Sequence, residues 1–336
     1  MRKLLRWNKL LLLVIFTAIY SFLTDCKKTD NPIKYSSGTF PDTVVNLEAI
    51  NTQYDDYNIS LPQFTGDSPI IFSSNRKSAG GQFDLEQAEV SFTFDKTTGL
   101  FTLSAMMTED AFLNKLIGKA VTPGNDFGPY RLFSDIDGYE YMILASEGHS
   151  GDLDMYYLKN QPVYNSSLPS IDGPHPVTVL NSASDDAYIC FSTKRDTAYF
   201  TSDRDGNFDI YYQPVPTDMA LSDWFGQVEA ASVPVDSINS PYDDKCPMVY
   251  KNVMIFTSDR PGGIGGYDLY YSVIHNGKWS SPVNLGPSIN TSSDEYRPVV
   301  GYHPDFINLF LMFSSDRPGG KGMFDLYFTG IELPVN

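Results

Sequence analysis

Short apolar runs recur along this chain between clusters of Gly, Pro, Asn and Asp, the pattern of strands joined by tight turns. Residues 243–286 show it in full. Residues 243–250 read as a first strand, Lys251-Asn252 as a turn, and 253–258 as a second strand whose alternation buries one face. Residues 259–266 are rich in glycine, which accepts positive φ. Residues 267–274 are a third strand, 275–278 a turn, and 279–286 a fourth strand. Elsewhere two stretches break this rhythm. Residues 105–120 have helical spacing, with Met106, Phe112, Leu113, Leu116 and Ile117 apolar, and are expected to be a helical insertion after a hairpin over 92–103. Residues 214–231, with Trp224 and Phe225, read as a loop holding one helical turn.

The hairpin formed by the second and third strands occurs five times. Ser258-Asp259-Arg260-Pro261-Gly262-Gly263 leads to Asp268-Leu269-Tyr270, and Ser315-Asp316-Arg317-Pro318-Gly319-Gly320 leads to Asp325-Leu326-Tyr327. Ser202-Asp203-Arg204 leads to Asp209 through a shorter turn. Ser74-Asn75-Arg76 before Asp84, and Ser146-Glu147-Gly148 before Asp154, are degraded copies. The five aspartates that open the third strands lie 70, 55, 59 and 57 residues apart. Such a period marks a repeat architecture, and four antiparallel strands per unit describe a β-propeller blade. The fifth unit lacks a fourth strand, whereas Val44-Val45-Asn46-Leu47 aligns with Pro282-Val283-Asn284-Leu285. Residues 43–47 are therefore expected to complete the last blade, because a ring sealed by both chain ends leaves no open edge. The expectation is an all-β, five-bladed propeller over 43–331, with a tail at 332–336. A sixth blade would have to hide within 92–122.

The N-terminus has the features of an export signal. Arg2, Lys3, Arg6 and Lys9 form a basic region, and residues 10–23 an apolar run short for a membrane span. Residues 1–25 read as a signal peptide. Leu23-Thr24-Asp25-Cys26 resembles a bacterial lipoprotein signal, with Asp25 where that pattern has a small residue. Cys26 would carry the lipid and residues 26–42 form a tether. Cys190 and Cys246 read as buried free thiols. Aspartate outnumbers glutamate 32 to 9, which suits turns. The net charge of −17 disfavours nucleic acid and anionic headgroups as partners.

An element present in every blade holds blades together, whereas a catalytic residue is needed once. Asn75, Arg76, Asp203, Arg204, Asp259, Arg260, Asp316 and Arg317 are accordingly read as structural. Asp84, Asp154, Asp209, Asp268 and Asp325 are expected to bind turn or neighbouring-blade amides. Asp203-Arg204-Asp205-Gly206-Asn207 and Asp135-Ile136-Asp137-Gly138 place oxygens at alternate positions, as calcium loops do, but no bidentate Glu follows. His149, His175, His275 and His303 form no ligand-spaced pair, and no glycine-rich phosphate loop opens a helix. No metal or cofactor is expected. Channel carboxylates of a glycosidase would come from Glu109, Glu140, Glu147 or Glu295.

The Ser-Asp-Arg-Pro-Gly-Gly-x-Gly-Gly-x-Asp-Leu-Tyr form at 258–270 and the Asn-Leu-Gly-x-x-Ile-Asn-Thr form at 284–291 resemble the TolB-type, WD40-like (PD40) repeat of bacterial envelope lipoproteins. The resemblance implies a non-catalytic propeller, lipid-anchored at the outer membrane, that binds an envelope protein or glycan through its loops or channel. It is not extended to peptidoglycan binding. The alternative is a glycan-active hydrolase with carboxylates in the channel; a passive scaffold is a third reading.

Overall fold

The computed structural model describes residues 31–61, 67–148, 151–162, 169–228 and 230–335. The signal segment 1–25 and Cys26 lie outside the described residues.

A short strand β1 (Val45–Asn46) precedes the first blade, β2 (Asp56–Ser60), β3 (Asp67–Ser74), β4 (Asp84–Phe94) and β5 (Phe101–Met107). Helix α1 (Ala111–Ala120) leads to blade two, β6 (Asp126–Phe133), β7 (Glu140–Ser146), β8 (Asp154–Asn160) and β9 (Ile171–Pro176). Blade three is β10 (Asp186–Phe191), β11 (Thr197–Ser202), β12 (Asp209–Pro214) and, after helix α2 (Leu221–Phe225), β13 (Val233–Pro234). Blade four is β14 (Asp244–Tyr250), β15 (Val253–Ser258) and β16 (Asp268–His275), with β17 (Lys278–Trp279) and β18 (Val283–Asn284) both paired to β16. Blade five is β19 (Glu295–Gly301), β20 (Leu309–Ser315) and β21 (Asp325–Ile331), completed by β1. The five antiparallel sheets are the expected five-bladed propeller.

The seal is built as the alignment implied. Val45 pairs with Phe328 and Asn46 with Tyr327. Asn46 donates to Asp325 at 2.8 Å and Asn51 to the Leu326 carbonyl at 3.0 Å. Inside the chain, Asn284 and Asn290 make the matching bonds to Asp268 and the Leu269 carbonyl, at 2.7 and 2.9 Å. The chain terminus thus uses the chemistry of an internal blade junction.

Four expectations need correction. Strand β15 is buried along its whole length, because a neighbouring blade covers each face of the sheet; alternation within it does not separate core from solvent. The fourth strand of blade four is two short pieces rather than one. The helical insertion begins at Ala111, and residues 105–107 remain in β5, where cross-strand pairing to β4 outweighs helical spacing. Residues 38–40, expected to lie in the tether, pack on the ring. Gly38 bridges to Phe306, and the fully buried Phe40 ring stacks on Phe306 at 3.7 Å between centroids. In the expected C-terminal tail, Leu333 and Val335 also pack on the core. Among the described residues no helix is long and apolar enough to cross a membrane.

Phe40 lies against Phe92, Phe310 and Phe328 as well, so it joins blades one and five. Phe40→Ala is expected to cost about 3–5 kcal/mol in urea unfolding, with an unchanged cost in a protein already lacking residues before 38.

Candidate functional site

The repeated Ser-x-Arg element forms an arginine clip, and its anionic partner is not the neighbouring acid. Arg76 pairs with Asp56 at 2.5 Å, Arg204 with Asp186 at 2.6 Å and Arg317 with Glu295 at 3.0 Å; Arg260 pairs with Asp244 in the same way. Each acid opens its blade's inner strand and is fully buried. The same guanidinium donates to the carbonyl of Ile50, Leu180, Ile238 or Ile289 in the loop leading into that strand. It lies over an aromatic ring of the second strand: Phe72, Phe200, Phe256 or Phe313. One side chain so joins loop, inner strand and sheet.

The acid beside each arginine has another task. Asp203, Asp259 and Asp316 accept from the amides of Asp185, Asp243 and Asp294 at 2.8–2.9 Å, and Asn75 accepts from Asp55. Asp55, Asp185, Asp243 and Asp294 in turn accept from the amides of Phe324, Leu153, Phe208 and Tyr267 in the preceding blade. Asp268 and Asp325 hold turn amides of Ile264, Gly265, Lys321 and Gly322. Asp84 accepts from Gln82, Asp209 from Asn207, and Asp154 opens β8.

Blade two departs from this scheme. Gly148 stands where the other blades have arginine, and a Cβ there would already stand 2.3 Å from the Thr122 hydroxyl. Asp126, the equivalent buried acid, accepts from the Thr122 amide at 2.9 Å and its hydroxyl at 3.1 Å, with no cation. Burial pushes its carboxyl up to about 6. Glu147 accepts from the Asn125 side chain, the reverse of blade one, where Asn75 donates to Asp55.

Every inner strand carries a β-bulge after its second residue. The bulged residues are Asn58, Gly128, Tyr188, Cys246 and Arg297, each with φ between 51° and 61°. Non-glycine residues rarely adopt that conformation, so the bulge is imposed by the ring. Equivalent in backbone, these five are unlike in side chain, and none is a carboxylate. Carboxylates converging within the channel, expected of the glycan-active alternative, are therefore not the arrangement found: the five acids at the strand heads are buried, and four are held by arginine.

Accessible chemistry lies instead where the inner strands of blades two, three and four end. A cleft of about 460 Å³ is lined by Tyr130, Arg131, Glu140, Tyr141, Phe191 and Arg195, among others. Of the four glutamates considered, Glu140 alone lines it. Glu109 is exposed, Glu147 is bound to Asn125, and Glu295 is buried on Arg317. Glu140 accepts from Asn160 at 3.0 Å. Asp137, three residues earlier, accepts from the Tyr141 hydroxyl at 2.5 Å. Arg131 is the anomaly: its buried Nη1 has no hydrogen-bond partner. Burial lowers its pKa, opposed by the charges of Glu140 and Asp110. A buried guanidinium nitrogen without a partner, beside a carboxylate in a concave, aromatic-lined cleft, makes this the candidate binding site. Sequence reasoning missed Arg131 because it sits mid-strand with no motif around it. Among the described residues no cluster of His, Cys, Asp and Glu could hold a metal.

No protein-family model matches the chain, and no curated protein matches it in sequence. Solved structures share its ring. A thermostable family-43 glycoside hydrolase aligns over 83% of this chain and 90% of its own, at 12% identity and TM-score 0.52. An endo-arabinase from Bacteroides thetaiotaomicron aligns over 87% and 98%, at 11% identity and TM-score 0.52. An α-L-arabinofuranosidase from Podospora anserina aligns over 89% and 98%, at 10% identity and TM-score 0.50. The fold is that of five-bladed glycoside-hydrolase propellers. The TolB-type resemblance is corrected accordingly: its Ser-Asp-Arg signature reports a blade junction, which any ring of this geometry can use. The expected non-enzymatic binding role is corrected with it: the structures matched in fold are glycoside hydrolases, not binding propellers.

Two outcomes test the clip. Arg260→Met strands Asp244 in the core and is expected to cost about 3–5 kcal/mol in denaturant unfolding. Asp126 gives a pH signature. Its unfolded carboxyl titrates near 4 and its folded one near 6, so the folded state holds the extra proton between those values, and rising pH destabilises it. Asp126→Asn removes that ionisation; its stability relative to wild type should rise from pH 4 to pH 7. A flat difference would contradict the burial of an unpaired acid.

Proposed function

We propose that this protein is a glycoside hydrolase acting on a glycan seated in the cleft between blades two and three. The observation that carries the reading is Glu140 beside Arg131, whose buried Nη1 has no hydrogen-bond partner, in that cleft. Glycosidic cleavage uses two carboxyl groups, one to protonate the leaving oxygen and one to act as nucleophile or to activate water. Glu140 is the carboxyl facing the cleft, and Asp137, held by Tyr141, is its partner. Tyr130, Tyr141 and Phe191 offer ring faces to sugar C–H groups, and Arg131 and Arg195 donate to hydroxyl or acidic substituents. The likeness in fold to an endo-arabinase and to an α-L-arabinofuranosidase directs the first assays to arabinan and aryl α-L-arabinofuranosides. The net charge of −17 argues against nucleic acid as partner. Export by residues 1–25 and lipid attachment at Cys26 would place the enzyme at the bacterial envelope, in reach of extracellular polysaccharide.

The test is turnover of a glycan panel by wild type, with Glu140→Gln and Asp137→Asn beside it. Loss of at least about 10²-fold in kcat for Glu140→Gln, with an unchanged melting temperature, is expected. A panel with no turnover, or a Glu140→Gln variant as active as wild type, would sink the assignment.

A further inference from the structure

The five bulged residues in the channel carry an uncompensated charge. Arg297 is 3% exposed and joins no salt bridge with any described residue, and its Nε has no partner. Its Nη2 reaches only the Gly128 carbonyl, at 3.5 Å. The guanidinium lies over the Tyr188 ring at 5.3 Å. Asn58, the bulged residue of the adjoining blade, is fully buried and both amide atoms lack hydrogen-bond partners. Tyr57 and Tyr296 stand against this ring, and burial pushes both phenols well above their ordinary range. Burial also pushes the Cys246 thiol up to about 11. At neutral pH these phenols and this thiol are therefore uncharged hydrogen-bond donors.

We propose that the centre of the channel binds a small inorganic anion of halide size between the guanidinium of Arg297 and the amide of Asn58. A buried cation is tolerated when a counter-charge and hydrogen bonds replace its lost hydration; water supplies the bonds but not the charge. The wall is tight: a Cβ on Gly128 would stand 2.5 Å from the Tyr188 ring. That crowding favours a monatomic ion over an organic acid. The site lies within the ring and apart from the Glu140 cleft, so it stands whether or not the glycan reading does. Its effect is structural: the ion joins blades one and five, which supply Asn58 and Arg297, at the middle of the ring.

Melting of the folded protein in gluconate salt, with gluconate replaced stepwise by chloride or bromide at constant ionic strength, tests this. A saturable rise of roughly 3 °C or more is expected in wild type. It should vanish in Arg297→Gln and shrink in Asn58→Leu. A crystal grown in bromide should show one anomalous peak within hydrogen-bond distance of the Arg297 guanidinium. A rise that does not saturate, one that persists in Arg297→Gln, or an equal rise with phosphate would overturn the proposal. Should Arg297→Gln fail to fold, Asn58→Leu and the bromide map decide: water alone at Arg297 would reject the anion.

Discussion

At the head of each inner strand a backbone amide donates across the blade boundary. Asp56, Asp126, Asp186, Asp244 and Glu295 bond to the carbonyls of Phe324, Phe83, Leu153, Phe208 and Tyr267, at 2.6–2.9 Å. These five bonds close a circle at one end of the channel, and in four of the five blades the residue that makes one also carries the buried acid that its arginine clip neutralises. An ion pair in the core contributes little net stability but is costly to break. The clip is best understood as a register device: its guanidinium is satisfied only when loop, inner strand and second strand are all in place. A blade shifted by one residue would leave a carboxylate unpaired in the core.

Repetition and divergence then divide the molecule. Where the same bonds recur around the ring they are needed for closure and are unavailable for chemistry, which is why the conspicuous Asp-Arg pairs are not a catalytic site. Where equivalent backbone positions carry unlike side chains, closure makes no demand and function has freedom. Blade two shows this most clearly. It loses the arginine at Gly148, leaves Asp126 without a cation, and places Arg131 and Glu140 in the open cleft at the other end of its strands. The blade that departs furthest from the repeat also lines the site.

Much of this architecture was legible along the chain. The Ser-Asp-Arg hairpins counted the blades, and the match of Val44–Leu47 to Pro282–Leu285 revealed the seal, because turn residues and strand pairing act over a few residues and leave a local signature. The partner of each arginine was not legible. It lies 16 to 22 residues upstream, across a hairpin, and the acid immediately beside the arginine was the deceptive neighbour.

Blade number, hairpin boundaries and the role of the N-terminal strand followed from residue order alone, since each rests on local pairing and on a period that repeats. Tertiary structure decided what the side chains do. Only the closed ring brings Asn58 and Arg297, 239 positions apart in the chain, to one level of the channel, and only the packing of blade two against blade three sets Glu140 and Arg131 in the cleft that Phe191 and Arg195 complete. Those juxtapositions depend on how sheets stack around an axis, a geometry with no period in the sequence to announce it.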